Sequence, residues 1–162
     1  MKKTILTVAI FSALLISCNE NKNKETKDSL EATEMVHEHS HETDGDLLGN
    51  EWINEIQLDK GNKWEANPET TEGVEKMIDL IKSNEKETVE DYHKLASDLN
   101  EMKNYVVKKC TMQGPSHDNL HIFLHPLIEK INELGKVSTT ERGSEITESI
   151  KENLDNYFKF FN

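Results

Sequence analysis

The sequence predicts an all-α fold, an up-down-up-down four-helix bundle, on three observations. Four stretches beyond residue 66 carry apolar residues at the i, i+3, i+4, i+7 spacing of one helix face. No Val/Ile/Thr-rich segment alternates with period two, so no strand competes with them. The connections between the stretches are short, which sets successive helices antiparallel and side by side.

The chain divides into four parts. Residues 1–17 carry Lys2 and Lys3, then an apolar run from Ile5 to Ile16 and Ser17, with Cys18 directly after. A positive start and a short apolar run have the layout of a secretory signal. The run falls short of the roughly 20 apolar residues that span a bilayer. Residues 18–46 are dominated by Asn, Lys, Glu, Thr, Asp and Ser. Such a segment buries too little surface to offset its ordering entropy, so a flexible tether is expected. Residues 47–66 hold Trp52, Ile53, Ile56, Leu58 and Trp64 around a turn at Asp59-Lys60-Gly61-Asn62, an irregular lead-in that lays two tryptophans on the domain. Residues 67–162 form the bundle.

Each helix has its own justification. The first takes Asn67 as N-cap and Pro68 at the first helical position, with Val74, Met77, Ile78 and Ile81 on one face. The second runs from about Glu87 to Cys110, with Tyr92, Leu95, Ala96, Leu99, Met102 and Val106 as its stripe. The third runs from about Ser116 to Leu134 on Leu120, Leu124, Leu127, Ile131 and Leu134. Pro126 lies inside it and cannot donate to the Ile122 carbonyl, which predicts a kink or a freed carbonyl. The fourth starts near Thr140 and carries Ile146, Ile150, Leu154, Tyr157 and Phe161.

Composition narrows the function. The 162 residues carry a formal net charge of −12, and loss of Lys2 and Lys3 with the signal makes the remainder more acidic still. A phosphate backbone needs a positive face, so no nucleic-acid partner is expected. Cations, metal ions or a basic protein partner suit the charge.

The residues Leu15-Ile16-Ser17-Cys18 resemble the lipobox of bacterial lipoproteins. The resemblance implies cleavage before Cys18, a lipid thioether on its sulfur and acylation of its new amino group. It also implies a membrane anchor in the cell envelope. Asn19 rather than Asp after the cysteine points to the outer membrane. The Trp64-to-Asn67 entry, the Cys110-Thr111-Met112 turn and the His-rich third helix are similar to those of small uncharacterised lipoproteins of Bacteroidota-type bacteria. That likeness implies compartment and a four-helix domain, and no activity.

Two clusters carry metal-ligand chemistry. His37, His39 and His41 alternate along the tether beside Glu38 and Glu42, a loose set for a borderline ion such as Zn²⁺ or Cu²⁺. The second cluster spans the turn between the second and third helices: Cys110, Met112, His117 and His121, with His125 a weaker member. At 100° per residue, His117 and His121 fall about 60° and 100° from Leu120, on one edge of the core face, and His125 drifts outward to about 140°. Cys110 falls about 20° from Leu99. Thiolate, thioether and imidazole are ligands for Cu(I) and, without the Met, for Zn²⁺. Against this stand two bland alternatives: a Cys on a core stripe that acts as a small hydrophobe, and His residues that merely occupy a first turn. His93 lies on the flank of the second helix and is expected to face solvent.

Other chemistry is expected to be absent. No C-x-x-C-H occurs, so no covalent haem is anticipated. The layout is similar to b-type cytochrome bundles, with Met77 as a conceivable axial ligand, yet the fourth helix has no histidine to oppose it. No Glu-x-x-His pair stands on facing helices, so a di-iron bundle is not expected, and glycine-rich nucleotide loops and nucleophile elbows are missing from the sequence. A Cys110–His117 dyad has no nameable third member, so an enzyme is not expected. Two readings result: a lipid-anchored metal-binding module for buffering, sensing or handover of copper or zinc, and an acidic bundle that meets a basic protein partner without metal.

Overall fold

The computed structural model describes residues 47–162. A single 3-10 turn, Glu51–Asn54, precedes four α-helices: α1 Pro68–Ser83, α2 Val89–Lys109, α3 Pro115–Leu134 and α4 Thr140–Phe160. The all-α four-helix class is therefore that of the sequence prediction. The linkers 84–88, 110–114 and 135–139 are too short for a crossover, so neighbours run antiparallel. Each helix packs on the next and α1 packs on α4, which closes the ring.

Local chemistry sets the helix ends. At the start of α2, Thr88 Oγ1 accepts from Asp91 N–H at 3.2 Å while Asp91 Oδ2 accepts from Thr88 N–H at 2.9 Å, a reciprocal capping box. Those bonds hold the Asp91 carboxyl below its usual range. Asn67 stands at the N-cap of α1, but its side chain makes no backbone cap bond there. Its amide accepts from Thr70 Oγ1 and donates to Glu69 and to the Lys109 carbonyl, so it ties the start of α1 to the end of α2.

The third helix starts at Pro115, one residue before the predicted start at Ser116. Gly114 is the N-cap, Pro115 is the first helical residue, and Ser116 turns its hydroxyl back to the Gln113 carbonyl at 3.2 Å. Gly114 has φ 63° and ψ −150°, a backbone setting only glycine takes without strain, and it re-aims the chain into α3. At Pro126 the helix continues from Pro115 to Leu134 without a break. The neighbouring Phe123 carbonyl receives a bond from Asn153 Nδ2 of α4 at 3.4 Å.

The predicted helical stripes form the core, and Met102 alone of them lies at its margin. Met77 is fully buried among these side chains. An aromatic cluster occupies one end. Phe123 contacts Trp52 at 5.5 Å, Tyr157 at 5.2 Å and Phe161 at 6.4 Å, and Tyr157 stacks on Phe161 at 4.9 Å. The Tyr157 hydroxyl meets Thr71 Oγ1 at 2.9 Å, and burial pushes its pKa up to about 12.

The lead-in has more order than an irregular segment would. Lys60 and Gly61 both take positive φ, and Asp59 and Asn62 exchange two backbone bonds at 2.9 Å, a tight hairpin turn at the predicted place. Trp64 then pairs in parallel with Phe161: Trp64 N–H donates to the Phe160 carbonyl at 2.8 Å, and Asn162 N–H donates back at 3.1 Å. Trp52 is buried and Trp64 half-buried.

Gly143 shows how closely α2 and α4 approach. A Cβ there would stand 2.5 Å from the Tyr92 ring. Ala in a helix interior gains about 1 kcal/mol over Gly by propensity, whereas overpacking costs typically 1–3 kcal/mol. A buried ring held by its hydroxyl to the Lys86 carbonyl yields little, so overpacking wins. Gly143→Ala is expected to destabilise the bundle by about 2 kcal/mol, and Gly143→Ala/Tyr92→Leu to recover at least half. Urea denaturation of the four corners of this cycle checks it. A stabilised single variant would refute the close approach.

Candidate metal site

The site begins where α2 stops. Lys109 is the last helical residue, and Cys110 takes φ −62° and ψ 123° with its N–H still bonded to the Val106 carbonyl at 2.9 Å. Extrapolating the helix one residue further put Cys110 on the core stripe; the chain has already turned extended there. Even so, Cys110 and Met112 are both half-buried and packed against the core. The loop therefore uses the thiol and the thioether as apolar contacts.

Gly114 and Pro115 set the first turn of α3, and the i, i+4 spacing stacks His117 under His121. Their ring centroids lie 4.5 Å apart at an interplanar angle of 87°. His117 is half-buried and His121 exposed, as an edge position dictates. The rings meet edge to face, and an ion with Zn–N bonds of about 2.0–2.1 Å needs one nitrogen of each ring turned toward a common point. The positive end of the α3 dipole opposes a cation by about 0.3–1 kcal/mol. Asp118 in the same turn and the net charge of −12 act in the other direction.

Two further histidines lie among the described residues. His125 is exposed, and its Nδ1 lies 3.7 Å from Glu129 Oε1. His93 is exposed, as expected, but it is not idle: its Nε2–H donates to the Val137 carbonyl at 2.8 Å and clips α2 to the α3–α4 linker. Cys18, His37, His39 and His41, with the signal segment and the tether, lie outside the described residues. Among the described residues no group of three or more His, Cys, Asp or Glu is gathered as a metal would require, so Cys110, His117 and His121 do not form one set.

Sequence reasoning overlooked the buried Lys130. It is fully enclosed and donates to Asn50 Oδ1 at 2.7 Å and Asn153 Oδ1 at 3.4 Å. Its angle on α3, about −80° from Leu120, lies close to that of Phe123 at about −60°, and that shared edge was the available signal.

No described helix is long and apolar enough to cross a membrane. No family model matches the sequence, and no curated protein or solved structure matches it. The likeness to bacterial lipoproteins thus stands on the residues quoted above.

Proposed function

We propose that this chain is a lipid-anchored envelope module that binds a borderline transition-metal ion, zinc or copper, on the His117–His121 pair. The observation that supports it is the 4.5 Å approach of the two imidazoles along one edge of α3. Two histidines at i, i+4 on a helix are a recurrent two-point grip for such ions. With two protein ligands the remaining positions belong to water or an incoming donor, which suits buffering or handover better than permanent storage. His37, His39 and His41 carry the same ligand chemistry upstream.

The test uses a soluble Cys18→Ser chain that also carries His37→Ala, His39→Ala and His41→Ala, so that only the bundle responds. Zn²⁺ and Cu²⁺ affinity is expected to fall at least tenfold, about 1.4 kcal/mol, on adding His117→Ala and His121→Ala. Cys110→Ser separates the two ligand sets. Unchanged affinity assigns the ion to the histidine pair, whereas a tenfold loss for Cu(I) brings the thiol into the site. If no ion binds the parent chain, the acidic bundle with a basic protein partner takes the place of this proposal.

A further inference from the structure

The segment that leads into the bundle is seated on a buried charge. Asn50 is its hub: the side-chain oxygen accepts from Lys130 Nζ at 2.7 Å and from Trp52 Nε1 at 3.0 Å, and the amide donates to Glu152 Oε2 at 3.2 Å. Trp52 lies over Phe123 and Phe160, at 5.5 and 5.9 Å. Further along, Gln57 N–H donates to Asn119 Oδ1 at 2.9 Å, and Leu48 accepts from the Ser149 hydroxyl at 2.7 Å. These contacts close the strap over Lys130, which is left with no accessible surface.

The chemistry beneath the strap is unusual for a purely structural contact. Both acceptors of the Lys130 ammonium are neutral amide oxygens, and no described carboxylate forms an ion pair with it. Burying a cation without a counter-charge is costly, so docking works against the charge it covers. The charged groups that face it are Glu152 of α4 and Glu51 of the 3-10 turn. Both favour the protonated form, but desolvation outweighs them and lowers the Lys130 pKa to about 8.

We propose that residues 47–57 are a pH-responsive strap, held tightly while Lys130 is neutral and loosened when it is charged. Undocking returns the ammonium to water and to an ordinary lysine pKa near 10.4. The docked state therefore binds fewer protons, and docking strengthens as pH rises between those two values. Below about pH 7 both states are protonated and the dependence is flat. The Trp64–Phe161 pairing, made by backbone bonds, lies beyond the strap and is untouched by this switch. If the lipid anchor at Cys18 holds as proposed above, release adds up to about 35 Å of reach between membrane and bundle. The switch itself does not depend on the anchor.

Native-state proteolysis of the full chain, with Cys18→Ser for solubility, tests the proposal. Cleavage after Trp52 by chymotrypsin requires an open strap, and its rate is normalised to that of a free peptide of residues 47–57 at each pH. Cleavage tracks the open population when reclosing is fast. The normalised rate is expected to fall at least about tenfold from pH 7.5 to pH 9.5 and to stay level from pH 6 to pH 7. Lys130→Met removes the titrating group and should abolish the pH dependence. Glu152→Gln, which leaves the lysine in place, should shift the transition to lower pH. A rate independent of pH in the parent chain, or one that keeps its pH dependence in Lys130→Met, overturns the proposal.

Discussion

Replacing Cys18 by Ser is expected to move this protein from the membrane fraction to the soluble fraction. A single acyl chain of myristoyl length gives only marginal, reversible binding, of the order of 10⁴ M⁻¹, and stable attachment takes a second chain or a basic patch. On the proposed reading, lipidation at the lipobox-like Leu15-Ile16-Ser17-Cys18 would supply several chains at one residue. A basic patch is a poor substitute in a chain of net charge −12, which anionic headgroups repel. No described helix can serve as a spanning anchor. Loss of the thiol at residue 18 is therefore expected to remove the attachment. Fractionation with a high-salt wash measures it. A Cys18→Ser variant that stays in the membrane would show that the anchor lies elsewhere.

The second large effect is structural. Phe123→Ala is expected to cost about 3–5 kcal/mol, the range for deleting a buried aromatic ring. Phe123 is fully buried and touches Trp52, Tyr157 and Phe161, which belong to the lead-in, to α4 and to the chain end. Three rings on different segments cannot all collapse into the space, so the cavity persists. The melting temperature should drop by more than about 10 °C. Urea denaturation gives the free energy, and a loss below 1 kcal/mol would mean that the aromatic end of the bundle is loosely packed.

The four helices were legible because each writes its buried face at a 3.6-residue period, as in Leu120, Leu124, Leu127 and Ile131. The turn at Asp59-Lys60-Gly61-Asn62 was legible for a different reason, the Asp, Gly and Asn that mark turns, with Gly61 free to take positive φ. What the period does not carry is where the lead-in lies. Phe123 and Lys130 sit on the flank of the α3 stripe, where Trp52 and Asn50 of the lead-in cover them together with side chains of α4. A lysine on a helix edge is ordinarily solvated, so the edge it shares with Phe123 becomes a sign of burial only with the tertiary context of the lead-in. The same holds for the candidate site. The i, i+4 spacing gave the His117–His121 pair directly, since it is a property of one helix. Bringing Cys110 to that pair needed the geometry of a loop, and Gly114 with its positive φ sets that geometry in a way helical angles do not describe.

The most direct test of the central proposal is imidazole NMR on the soluble chain with His37, His39 and His41 intact. Long-range nitrogen–proton spectra resolve each histidine ring during a Zn²⁺ titration. The ring nitrogens of His117 and His121 are expected to shift together and saturate at one equivalent, while His93, bonded to the Val137 carbonyl, holds its position. If the His117 and His121 signals stay fixed while only the tether histidines move, the bundle is not the metal site.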